Sequence, residues 1–397
     1  MARAKTRQRL GAPASSRQTA LRAAPARLPL FSMKPTTALR ATLATLLLLA
    51  ATAVTAAARP ALTWHDTAPW KPGGRAWDDT PTPFSRLPRR AEGEVTKAVW
   101  KLSLNSAGLV FYFRTDAPEI HTRHTVAGEL AKPHMNATAT SGLDLYARDQ
   151  TGAWHWAGSS RPNSKTHEQA VLSGAEPALR DYMLYLPLYN TVESLEIGVP
   201  AGCAFEPVAP PSEKPVVYYG TSIAQGCAAS RPGLTTPAML GRKLGLPVIN
   251  LGFSGNGKME PAMAGLVAEI DAAVFVLDCL PNMSALSAPE IIGRTENCIR
   301  VIRKTHPATP IILMEDRTYG HAWLVPKLRQ KHADARAALR SVHEKLAAGG
   351  VTGVTYIPGA QLLGDDDTTV DGSHPGDLGL FRQAEILLPV LKQVLKN

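Results

Sequence analysis

The sequence predicts an antiparallel β-sandwich followed by an α/β domain built on a parallel five-stranded sheet. Three observations carry that prediction. Residues 59–210 hold six of the seven Trp in short alternating runs punctuated by Gly, Pro and Asn, with no long helical periodicity. Beyond a proline-rich connector, five short apolar or β-branched runs alternate with segments whose apolar residues recur every three or four positions. Each of the five runs leads into a residue able to do chemistry.

Residues 1–58 contain nine Lys or Arg and no acid, so most of the formal charge of +10 belongs to them. The remainder is nearly neutral and shows no basic stripe beside an aromatic platform, which argues against nucleic-acid binding. Lys34 and Arg40 precede an apolar stretch that ends in Ala56-Ala57-Ala58, the pattern of a secretory signal, and Met33 is a natural start for it. The stretch is short for a membrane span of about 20 residues. An exported protein, periplasmic or secreted, with no stable membrane span after cleavage is expected; an uncleaved anchor is the alternative. The expected division is an extension and signal over 1–58, a sandwich over 59–213 and an α/β domain over 214–397.

Within the sandwich, residues 99–104 and 110–113 alternate as strands do, and 184–189 with 192–197 read as a final hairpin turning at Asn190-Thr191. Pro207, Pro210, Pro211 and Pro215 make a stiff connector with Glu213 and Lys214 exposed. Strands are then expected at 215–219, 247–251, 273–277, 310–314 and 353–357, in a flavodoxin-like order. Helices are expected at 235–244, 261–269, 289–304, 327–348 and from Pro375 to about residue 396. Cys203, Cys227, Cys279 and Cys298 form no Cys-x-x-Cys pair and no zinc-type cluster with His, so no metal site is expected. Buried free thiols and a disulfide are both open readings.

Ligands of such sheets bind outside the carboxyl ends of the strands. The residues found there are Ser222, the turn Gly252-Phe253-Ser254-Gly255-Asn256-Gly257, Asn282, Glu315-Asp316-Arg317, and Asp371 with His374. A serine at a strand-to-helix turn exposes its hydroxyl to a base and its N–H to a developing oxyanion, although the same position suits a helix N-cap. Asp371 and His374, three residues apart, can meet across one turn, the carboxylate orienting the imidazole; a surface loop that caps the next helix is the plainer reading. Gly255 can bring its amide close to a substrate, and Asn282 can donate through its side chain. Glu315, Asp316 and Arg317 are candidates for the site rim, or for an ion pair among themselves or a helix-capping role. The glycine-rich turn lacks the spacing of a P-loop or a dinucleotide fingerprint.

In this order the residues resemble the SGNH or GDSL hydrolase superfamily, whose four blocks supply a serine, a glycine, an asparagine and an Asp-x-x-His. The first block reads Gly220-Thr221-Ser222-Ile223 here, and Met283 follows Asn282 where many relatives have Asp. Gly142-Leu143-Asp144-Leu145-Tyr146 resembles the Gly-x-Asp-Leu-Tyr signature of an N-terminal domain that accompanies one branch. The resemblance implies Ser222 as nucleophile, His374 as base, Asp371 as its orienter, and the Ser222 amide, Gly255 and Asn282 as the oxyanion hole. No metal or organic cofactor is then required. The expected activity is hydrolysis of small acyl esters, O-acetyl groups on carbohydrate first, since Trp faces stack on sugar rings. A noncatalytic glycan-binding or adhesion protein on the same scaffold, and a lipid or thioester hydrolase, are the rival readings.

Overall fold

The computed structural model describes residues 61–364 and 366–396, so the signal expected within residues 1–58 lies outside the described residues. The strands β1 (Leu62–Asp66), β2 (Val110–Thr115), β3 (Ile120–Val126), β4 (Asp144–Arg148), β5 (Trp154–Ser159), β6 (Thr166–Leu172), β7 (Arg180–Tyr185), β8 (Val192–Pro200) and β9 (Phe205–Val208) form two antiparallel sheets. Their orders are β1-β8-β3-β6 and β5-β4-β7-β2-β9. Phe111, Phe113, Leu145 and Leu184 of the larger sheet share one buried core with Ile120, Val126, Val171, Leu195 and Ile197 of the smaller. This is the expected sandwich, closed by the inward half of each alternating strand.

Two expectations for this half are corrected. Residues 99–104 are not a strand but lie largely in a helix, Lys97–Ser103, whose cap Thr96 accepts the Val99 N–H. Val99 and Ser103, one turn apart, are its buried residues. Six residues of Val-Trp-Lys-Leu-Ser-Leu satisfy a period of two, but a threonine cap ahead of them and a surface to pack on decide for the helix. That surface belongs to the α/β layer, because Leu87, Ala91, Val95 and Val99 are buried with residues of the parallel sheet.

The expected last hairpin is a crossover instead. β7 and β8 lie in different sheets, and residues 186–191 carry the chain between them. Buried Asn190 holds this passage: its Oδ1 accepts the Gly128 N–H and its Nδ2 donates to the Glu129 carbonyl and Ser141 Oγ.

The parallel sheet contains β10 (Val216–Gly220), β11 (Val248–Gly252), β12 (Val274–Asp278), β13 (Ile311–Met314) and β14 (Val354–Ile357) in the order β11-β10-β12-β13-β14. This is the flavodoxin-like order, with every neighbouring pair parallel. Alternation along the strands divides the core in two. Val217, Tyr219, Phe275, Leu277, Ile311 and Leu313 face the helices Pro261–Val267, Ala288–Thr305 and Pro326–Ala348. Val216, Tyr218, Val274, Val276, Ile312 and Met314 face Thr236–Leu244 and Asp377–Val394. Covered on both faces, β10 and β12 are buried along their whole length.

The four cysteines are free thiols, with Cys227, Cys279 and Cys298 buried. Among the described residues no helix is long and apolar enough to cross a membrane.

Candidate active site

Gly220, at the end of β10, pairs with Gly252 of β11 on one side and Asp278 of β12 on the other, so the turns after three strands open along one edge. Ser222 enters that edge as the first residue of the short helix Ser222–Gln225. The capping role falls to Thr221, whose Oγ1 accepts the Ile223 N–H at 3.3 Å. As a first-turn residue, Ser222 has no acceptor for its own N–H within the helix. Its carbonyl is fixed by the N–H groups of Gly226 and Cys227 and by the Tyr189 hydroxyl. The Ser222 hydroxyl lies 2.9 Å from His374 Nε2.

His374 stands at the mouth of a loop closed by the Val370 N–H on its carbonyl. Asp371 Oδ2 is 2.7 Å from His374 Nδ1, and Asp371 Oδ1 accepts the N–H groups of Ser373 and His374. Partial burial works to raise the Asp371 pKa, but the bonds from the His374 N–H and ring and the Ser373 N–H outweigh it and hold the carboxyl below its ordinary range. An ionised carboxylate can only accept, so the proton of this pair sits on Nδ1. Nε2 is then the acceptor facing the serine hydroxyl.

The other two blocks flank this line. Gly255 lies in the turn after β11 at φ +71°, a backbone state that glycine adopts without strain. Two residues on, a Cβ on Gly257 would stand 2.0 Å from the Gly220 carbonyl oxygen, so glycine there lets the turn close against the Ser222 turn. Asn282 belongs to the short helix Leu280–Met283 after β12, and its Oδ1 accepts the Gly257 N–H at 3.2 Å. With the oxygen so engaged, its amide nitrogen is the end left to donate.

Glu315, Asp316 and Arg317 follow β13 as expected, but they do not form a rim: each is buried, at 2%, 1% and 2% exposure. Glu315 accepts from the Gly359 N–H, Tyr356 hydroxyl and Arg340. Asp316 pairs with His332 and Arg336, and Arg317 makes a bidentate pair with Asp278, whose Oδ2 also accepts the Tyr218 hydroxyl. The two carboxylates turn inward because His332, Arg336 and Arg340, four residues apart on Pro326–Ala348, present one stripe of donors to them, and Arg317 turns inward to Asp278.

Three contributors escaped sequence reasoning. Arg86 is buried beside β11, the edge strand, where Nη1 donates to the Asn250 and Gly252 carbonyls while Nε and Nη2 reach Asn105 and Leu102. Burial pushes its guanidinium down to about 9, and the Phe253 ring lies 4.8 Å from it. Asp144, from the Gly-x-Asp-Leu-Tyr stretch, accepts from Arg231 and the Gly233 N–H, both from the segment following Ser222, and from Trp156. His134, on the passage from β3 to β4, stacks on His374 with centroids 5.5 Å apart and planes at 22°. A signal existed only for Asp144, and it said nothing of what the carboxylate holds.

The comparisons agree with this architecture. The family model described as GDSL-like Lipase/Acylhydrolase matches residues 213–392, and the GxDLY model, described as the N-terminus of Esterase_SGNH_hydro-type, matches residues 62–205. A solved structure described as a GDSL-like lipase from Bacteroides ovatus is 36% identical, with a TM-score of 0.80 over 85% of this chain and 98% of its own. The salicylyl-acyltransferase SsfX3 from a tetracycline biosynthetic pathway is 23% identical, with a TM-score of 0.65 over 82% and 92%. A family two carbohydrate esterase from Clostridium thermocellum, in complex with cellohexaose, is 15% identical, with a TM-score of 0.53 over 73% and 93%. The last two share the fold. No curated protein sequence matches the chain. Fold and kinship define a hydrolase. The chain belongs to the SGNH/GDSL hydrolase superfamily, in the branch whose α/β domain is preceded by a GxDLY-type sandwich.

Proposed function

We propose that the protein is an exported serine esterase that removes small acyl groups, O-acetyl first, from carbohydrate through an acyl-serine intermediate. The observation that carries the reading is the unbroken line from the Ser222 hydroxyl to His374 Nε2 and from Nδ1 to Asp371, at 2.9 and 2.7 Å. His374 takes the hydroxyl proton as Ser222 attacks the ester carbonyl. The oxyanion meets the N–H groups of Ser222 and Gly255 and the Asn282 amide, and the protonated imidazole then passes its proton to the leaving alcohol. A water, activated by the same imidazole, releases the acid. From the sandwich side, the His134 ring stacks on that of His374.

Carbohydrate remains the favoured alcohol for one structural reason. Trp323 is 70% exposed, in a segment that joins the His374 loop through the Gly320 N–H on the Gly372 carbonyl. Most sandwich Trp residues are packed, including Trp70 on Phe111 and Trp154 on Tyr112. Fluorophosphonate labelling tests the activity class: the reading expects a stoichiometric adduct on Ser222 that His374→Ala suppresses, whereas a noncatalytic glycan binder leaves Ser222 unlabelled. Trp323→Ala is expected to raise KM for an acetylated oligosaccharide while sparing p-nitrophenyl acetate. Equal effects on both would remove Trp323 from sugar recognition.

A further inference from the structure

We infer that the same cleft is an inhibitory site for a zinc-class divalent ion, held by His134, Cys227 and His374. The inhibitory half of this rests on His374 acting as the base; the binding half does not. One donor atom from each of the three side chains lies within 4.8 Å of the others. They converge from three separate stretches: the passage from β3 to β4, the segment just after the Ser222 helix, and the C-terminal loop.

Two imidazoles and one thiolate are the donor set that zinc takes, with Zn–N near 2.0 Å and Zn–S near 2.3 Å. Tetrahedral bonds of those lengths place ligand atoms about 3.3–3.7 Å apart. Closing the gap therefore needs a movement of roughly 1 Å, which the exposed His134 can supply.

Neither His134 nor Cys227 has a part in the ester chemistry. Among the described residues the His134 ring makes no hydrogen bond, and its contact is the stack on His374. Cys227 is a free thiol at 1% exposure, pushed up to about 12 by burial and by the charge of Asp371, so an ion must displace its proton to water as it binds. Asp371 on Nδ1 already completes the carboxylate–histidine arrangement that orients a ligating imidazole, leaving Nε2 toward the ion. Three protein ligands leave a fourth position for water or the Ser222 hydroxyl. An ion on Nε2 occupies the lone pair that would receive the serine proton, and turnover stops until the ion leaves.

The test separates binding from catalysis. ZnCl2 is titrated calorimetrically into the Ser222→Ala protein, and Co2+ is added in parallel to read thiolate-to-metal charge transfer. One ion per chain is expected, with affinity lowered roughly tenfold or more by adding either His134→Ala or Cys227→Ser. Circular dichroism confirms the fold of each, and exposed His134 supplies the variant least able to disturb it. In the otherwise unaltered enzyme, Zn2+ should inhibit reversibly at the concentration at which it binds. His134→Ala and Cys227→Ser, each compared with its own turnover in the absence of the ion, should resist inhibition. No binding, or binding that survives both substitutions, overturns the site. Binding without inhibition overturns its inhibitory role, and turnover retained by Ser222→Ala overturns the esterase mechanism while leaving the ion site standing.

Discussion

In the proposed mechanism Asn282 is prepared for a charge that exists only in the transition state. Its oxygen is engaged by the Gly257 N–H, and that fixes which end of the amide can donate. Removing one such donor lowers kcat by about 100- to 1000-fold, on the order of 3 kcal/mol. Asn282→Ala should therefore cut kcat by that factor with KM little changed; a loss confined to KM would assign Asn282 to ground-state binding. Ser222 follows the same logic, since Thr221 takes the cap and leaves the Ser222 N–H and hydroxyl uncommitted to the helix. Both residues could be read from the sequence because their blocks come in order. The orientation of the Asn282 amide could not, because it depends on a partner 25 positions away.

At the scale of elements, the parallel layer was the easier half to read. Strands buried on both faces are continuous apolar runs, and their helices show plain three- and four-residue spacing, so observed and expected bounds nearly coincide. Short sandwich segments offer few residues per pattern, and the helix Lys97–Ser103 carries a strand-like alternation although Thr96 marks its start. The inward turn of Glu315 and Asp316 was also hidden, because it needs the stripe of His332, Arg336 and Arg340 from the next helix.

Two predictions belong to these elements. Arg86 satisfies two outward carbonyls on the edge strand that leads into the Gly255 turn, so Arg86→Met should cost roughly 3 kcal/mol, visible in urea unfolding, and lower kcat as well. Arg86→Lys should rescue only partly, because an ammonium cannot reproduce the guanidinium fork.

Glu315 contributes to the acid response. Burial works to raise its pKa, but the Gly359 N–H, Tyr356, Arg340 and Arg336 outweigh that and hold it below the usual value. Its stabilisation is complete above the unfolded pKa of about 4.3 and is lost as pH falls through the lower folded value. Tm should drop on acidification between about pH 5 and pH 3, and less steeply in Glu315→Gln; identical slopes would remove Glu315 from the acid response.

For the whole molecule, the two layers act as one unit. Asp144 of the sandwich holds Arg231 and Gly233 just beyond the Ser222 helix, Arg86 seals the sheet edge, and His134 lies on His374. The sandwich is thereby placed to shape the cleft rather than ride beside it. Whether that cleft performs ester hydrolysis through Ser222 is tested most directly by the rates of p-nitrophenyl acetate, butyrate and octanoate hydrolysis by the chain from residue 59 onward, beside its Ser222→Ala variant. Turnover that falls with acyl length and vanishes in Ser222→Ala, with the fold intact, is the predicted result. Equal turnover in the variant, or no hydrolysis of any ester by the folded protein, would contradict it.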